Sequence, residues 1–147
     1  MKKLDQAVKQ YEDISEQFHQ LMTRAEIDLA NMSGVTLCCD EQGYKLSALG
    51  RTIGFRFKMV SRISGGFLGE LTAYFVRENL TGRNRDGDIM ILHSIWFDKL
   101  GNVYTTSYDD SSSHNISMDD GILLSFVQKT LEVFLETTEF YSESGHL

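Results

Sequence analysis

Leu4, Tyr11, Phe18, Ala25 and Met32 stand seven residues apart at the start of this chain. Ala7, Ile14 and Leu21 follow three residues behind that line, and Val8, Met22 and Leu29 four behind. Spacings of three, four and seven gather on one side of an α-helix, whereas side chains sharing a strand face are two apart. The pattern therefore predicts a long amphipathic helix or a coiled-coil seam. About 28 residues at 1.5 Å each make a rod of roughly 42 Å. A compact chain of 147 residues has a radius of gyration of about 15 Å and so a diameter of roughly 38 Å. The helix is expected either to span the whole domain or to overhang it, and an overhang calls for a partner.

The rest of the chain reads as a single domain, 1–147. That length buries about two thirds of its unfolded surface, and a hydrophobic fraction of 41% with 11% aromatics supplies a core and excludes wholesale disorder. No apolar run approaches the length of a membrane span, and the charged start Lys2-Lys3-Leu4-Asp5 does not suit a signal peptide. The expectation is a soluble, cytoplasmic chain with no membrane partner. Net charge is −7, unevenly spread: residues 1–86 hold 12 Lys/Arg against 11 Asp/Glu, while 87–147 hold 2 against 10. Such a chain is not built to attract phosphate backbones, so no nucleic-acid partner is expected. Cys38 and Cys39 are adjacent, and neighbours on a strand point to opposite faces. The pair reads as one buried thiol and one exposed or half-buried thiol, poorly placed to bond each other.

Past the helix, Asn31-Met32-Ser33-Gly34 supplies the stop. Val35–Cys39 and Tyr44–Leu49 are β-prone runs joined by Asp40-Glu-Gln-Gly43, and the same Asp-x-x-Gly turn chemistry returns at Asp98–Gly101 between Ile95-Trp-Phe and Asn102-Val-Tyr104. Residues 52–60 alternate, with Ile53, Phe55, Phe57 and Met59 on one face and Gly54, Arg56 and Lys58 on the other. Residues 67–79 fit either a helical stripe or a strand; their β-branched and aromatic content favours the strand. Ile89–Phe97 reads as the central strand, with His93 on the same face as Ile89, Ile91, Ile95 and Phe97. Ser117 caps a second helix, with Asp120 in the capping-box position, running to about Tyr141 and apolar nearly all round. The predicted fold is α+β: a long N-terminal helix, an antiparallel β-meander of about six strands, and a C-terminal helix, with the helices packed on one face of the sheet.

Few residues point to chemistry. His93, on an apolar strand face, is a candidate pocket histidine with a shifted pKa, with Trp96, Phe55, Phe57 and Tyr104 as further lining; Tyr104, Ser107 or Asp98 could orient it. His114 lies in a polar Asp/Ser/Asn loop of the kind that also makes turns and caps. No metal-ligand spacing, nucleophile elbow or phosphate-binding glycine motif occurs, so no catalytic residue, metal site or cofactor is assigned. Arg56, Lys58 and Arg62 could form a basic patch, joined by Arg77, Arg83 and Arg85.

The leading functional expectation is a non-enzymatic protein-binding or dimerisation module, acting as a homodimer or on a protein partner through the helices. The interface candidates are Leu4, Tyr11, Phe18, Met22, Phe126, Val133 and Phe140. A small-molecule binder or enzyme with a pocket between curved sheet and helices is the alternative. In size, charge and helix–strands–helix order the chain also resembles small acidic α+β secretion chaperones. That outline implies an acidic inhibitor or chaperone and transfers no motif or site; loss of a pulled-down partner on charge reversal of Glu132, Glu136 and Glu139 would single it out.

Overall fold

The computed structural model describes residues 2–41, 43–62, 65–76, 89–104, 113–115 and 122–137. Helix α1 spans Lys2–Leu29. The strands are β1 (Val35–Asp40), β2 (Gly43–Ala48), β3 (Arg51–Ser61), β4 (Phe67–Val76), β5 (Ile89–Phe97), β6 (Asn102–Tyr104) and β7 (Ser113–Asn115), followed by helix α2 (Ile122–Leu135). All seven strands form one sheet in chain order, each antiparallel to the next. The α+β meander stands as expected, with a short seventh strand where the sequence reads as loop. Residues 67–76 are strand, as their composition favours.

The sheet has two unlike faces. Ile53 and Phe55 on β3, Leu71, Ala73 and Phe75 on β4, and Ile95 and Phe97 on β5 belong to one core cluster, together with Ile14, Phe18, Leu21, Met22, Ala25 and Leu29 of α1 and Phe126, Val127 and Phe134 of α2, and half-buried Phe57 packs against it. The register makes these sheet residues neighbours: Phe55 faces Ala73, Phe57 faces Leu71, and Leu71 faces Ile95. Beneath α1 the rings of Phe18, Phe57 and Phe97 form a chain, with centroids 5.0 Å and 5.8 Å apart. Beneath α2, Phe126 meets Phe55 at 5.9 Å and Phe134 meets Phe75 at 4.9 Å. Each helix thus sits on its own aromatic cluster, and the two helices also touch one another.

Three details depart from the sequence reading. Tyr74 faces Ile91, yet Ala73 faces His93, so Leu92 is one residue too many on β5. An extra residue inverts the alternation. Leu92 is buried, while Ile89 and Ile91 turn outward at 41% and 49% exposure; they do not share the face of His93. Cys38 and Cys39 are both exposed, because β1 is a sheet edge and neither faces a filled core. The described part of α2 ends at Leu135, and its girdle is largely covered by its own sheet and α1: Phe126, Val127, Thr130 and Phe134 are buried, and Leu124, Leu131 and Val133 pack on the core partly buried.

Local chemistry sets the turns. Gly101 takes φ +85°, while the Asp98 carboxylate accepts from the backbone N–H of Leu100 and of Asn102, both at 2.9 Å. Residues 49 and 50 link β2 to β3 with both φ values positive, 56° at Leu49 and 71° at Gly50. A leucine there crowds its Cβ against the following carbonyl, whereas asparagine tolerates that conformation. Leu49→Asn is expected to raise stability by about 0.5–1 kcal/mol in urea titration; unchanged or lower stability would contradict the strained turn. Gly69, by contrast, makes room for the helix. A Cβ there would lie 2.3 Å from Phe97 Cζ and 2.8 Å from Ile14 Cγ2. Gly69→Ala is expected to cost about 1–3 kcal/mol, seen as a lower thermal midpoint by circular dichroism.

Candidate functional site

Alternation along β5 sends His93, Ile95 and Phe97 to the helix side and Ser94 and Trp96 to the other. The five pocket candidates are therefore split by the sheet. His93, Phe55 and Phe57 lie under the helices, while Trp96 and its β6 neighbour Tyr104 lie on the outer face. Phe55 is buried and Phe57 half-buried in the ring clusters. The five do not line one cavity.

His93 is half-buried, with its ring stacked on Phe126 at 5.2 Å and 28°. Burial first, and the charge of Lys129 second, hold its pKa below the ordinary 6.5. Both disfavour the imidazolium, so the ring is kept as a neutral aromatic member of the α2 contact. Asp98 does not orient it. Besides its two backbone donors, that carboxylate accepts from Asn102 Nδ2 at 3.0 Å and from the Tyr104 hydroxyl at 2.9 Å. Burial, and next this hydrogen bond, raise the Tyr104 pKa. Ser107 lies outside the described residues.

The outer face is a set of paired polar groups. Trp96 Nε1 donates to Glu70 Oε2 at 2.9 Å, and Lys58 Nζ stands 3.5 Å from Glu70 Oε1. The hydroxyls of Thr72 and Ser94 are 3.1 Å apart. Arg56 lies over the Tyr74 ring at 5.6 Å and Arg62 over the Tyr104 ring at 5.3 Å. The three cations expected to form a basic patch are thus each held against a different neighbour. Glu70 is the organiser that the sequence reading passed over; its signal was the one charged residue in the run Phe67–Val76. Among the described residues no group of three or more His, Cys, Asp and Glu could hold a metal ion.

The interface candidates divide differently. Phe18, Met22 and Phe126 are 9%, 1% and 3% exposed, and the chain's own sheet uses them. They present nothing to a partner. Val133 packs partly buried on the same core. Leu4, at 54%, and Tyr11, at 48%, remain exposed, as does Val8 at 52%. Tyr11 rests one ring face against Phe57 at 5.9 Å. Glu132 and Glu136 are exposed on or just past α2. Phe140, Glu139, Arg77, Arg83 and Arg85 lie outside the described residues, and His114 is placed only by its backbone, on β7 opposite Val103.

No protein-family model, curated protein or solved structure matches this chain. Among the described residues no helix is long and apolar enough to cross a membrane.

The lowered pKa of His93 has a consequence for stability. In the unfolded chain the imidazole takes a proton below about pH 6.5, while the folded chain resists that proton, so stability falls as pH drops through this range. His93→Phe keeps a ring against Phe126 and removes the titration. Between about pH 8 and pH 5, the wild-type chain is expected to lose more urea stability than His93→Phe. Equal losses would show that His93 is not held neutral by the fold.

Proposed function

We propose that this chain is a non-enzymatic protein-binding module whose docking surface is the N-terminal part of α1. One observation carries the reading: a single periodic apolar line runs the length of the helix, buried from Ile14 onward and open to solvent at Leu4, Val8 and Tyr11. A helix end meant only for water has no need of leucine, valine and tyrosine at positions i, i+4 and i+7. Apolar side chains on one stripe are what a helix presents to a neighbour. Twenty-eight residues give a rod of about 42 Å, longer than the stretch from Ile14 to Leu29 that the sheet covers.

His93 supports the non-enzymatic side of the reading through its surroundings, a stacked phenyl ring and a neighbouring ammonium. Both suit a packed neutral ring better than an acid or base in turnover.

The double substitution Leu4→Glu/Val8→Glu tests this. Half-exposed side chains beyond the sheet contribute little to the fold, so the thermal midpoint should move by less than about 2 °C. A photoreactive amino acid at position 8 should yield a covalent protein adduct in cells expressing the chain, and the double substitution should abolish it. A drop of many degrees would mean that the stripe serves the fold of a single molecule. Absence of any adduct would remove the binding reading.

A further inference from the structure

We infer that the free edge of β1 pairs antiparallel with the β1 edge of a second copy of this chain, with Leu37 opposite Leu37 at the twofold axis. This surface is separate from the stripe on α1. The loop Leu49-Gly50 has both φ values positive. That is the type I′ geometry, in which the closing residues, here Ala48 and Arg51, are hydrogen-bonded to each other. Bonding direction alternates along a strand. Ala48, Leu46 and Tyr44 therefore bond to β3, while Ser47, Lys45 and Gly43 turn to β1, where their partners are Thr36, Cys38 and Asp40. Val35, Leu37 and Cys39 are left with their N–H and C=O groups aimed away from the sheet. Among the described residues β1 has no neighbouring strand but β2, and no backbone hydrogen bond outside the helices and strands reaches these three. An edge that only meets water is ordinarily guarded by lysine, proline or a bulge. Thr36 to Cys39 carry no charge and no proline, and their register with β2 is unbroken.

The edge fits its own copy better than an arbitrary strand. The outward residues are spaced evenly about Leu37, so an antiparallel copy sets Leu37 on Leu37 and Val35 on Cys39 at either end, each pair exchanging both of its backbone bonds. A twofold axis normal to the sheet keeps both helix-bearing faces on one side. Val35 and Leu37 already pack partly buried on the core there, so apolar side chains meet apolar ones. On the other side Thr36 comes opposite Cys38, and both are exposed. Asp40 falls opposite Gly34, which keeps the acidic residues Asp40 and Glu41 of the two copies at opposite ends of the seam. A parallel copy would turn its helices the other way and set Asp40 on Asp40, where like charges repel. An unrelated strand would share the backbone bonds alone.

So short a seam makes a weak dimer, with a dissociation constant on the order of 100 μM. Sedimentation equilibrium of the full chain in reducing buffer should show it. Cys39→Pro removes an outward N–H and leaves the bonds to β2 in place. It should keep the wild-type circular dichroism and dissociate about tenfold more readily. Thr36→Cys/Cys39→Ser supplies a second measurement that needs no proline. Opposed residues of a pair without mutual hydrogen bonds have Cα atoms about 4.5 Å apart, within disulfide reach. Mild oxidation should link Cys38 of one copy to the new thiol at position 36 of the other, far faster than it links Cys39→Ser alone. A chain that stays at 16.7 kDa at about millimolar concentration would overturn the inference and leave the α1 reading standing. A folded Cys39→Pro chain that dimerises as well as the wild type would overturn it, as would a missing cross-link. Self-association lost in Leu4→Glu/Val8→Glu but kept in Cys39→Pro would move the contact to α1 and overturn it too.

Discussion

The fold depends on the contact between the apolar line of α1 and the inner face of the sheet. Ile14, Phe18, Leu21, Met22, Ala25 and Leu29 enter the same cluster as the strand residues beneath them, and the Phe18–Phe57–Phe97 ring chain runs from the helix through β3 to β5. Gly69 is part of that contact, since only an absent side chain lets Ile14 and Phe97 approach β4 so closely. A meander whose strands pair only with their sequence neighbours leaves one whole face greasy. The two helices cover it, and the order of the chain follows from that need.

The outer face answers the opposite problem. It carries Trp96, Tyr74 and Tyr104, and each ring is given a polar companion: Glu70 for the indole N–H, Arg56 and Arg62 over the two phenol rings. Cations over the two phenol rings help cover their apolar bodies, and Tyr104 is left only 8% exposed. The bulge at Leu92 belongs to the same division. By adding one residue it turns Leu92 inward under the helices and Ile89 and Ile91 outward at the far end of β5.

Where the contact between α1 and the sheet ends, the helix does not. Its apolar positions toward the N-terminus, Leu4 and Val8, are 54% and 52% exposed, and Tyr11 beside them stacks on Phe57 of β3. The expectation that both helices need a partner is therefore narrowed. Among the described residues α2 is largely covered by its own sheet and α1, while in the first three turns of α1 Leu4, Val8 and Tyr11 stay about half exposed.

Much of the architecture was legible from local pattern. The heptad line marked α1, the Asp-x-x-Gly turns placed two hairpins, and period-two alternation identified β3, because each of these is decided by residues within one or two turns of each other. Composition separated strand from helix at residues 67–76. What no local pattern could supply was which side of the sheet a residue would reach. One extra residue in β5 moved Ile89 and Ile91 away from His93, and the pairing of β5 with β6 put Tyr104 beside Trp96, across the sheet from it. The same holds for the stripe on α1: Phe18 and Leu4 are equivalent in spacing, yet one is buried and the other open. That difference is the reach of the sheet beneath them, a property of seven paired strands together. Sequence alone determined the elements and their apolar sides; tertiary structure decided which of those sides were left uncovered, because burial depends on what lies opposite.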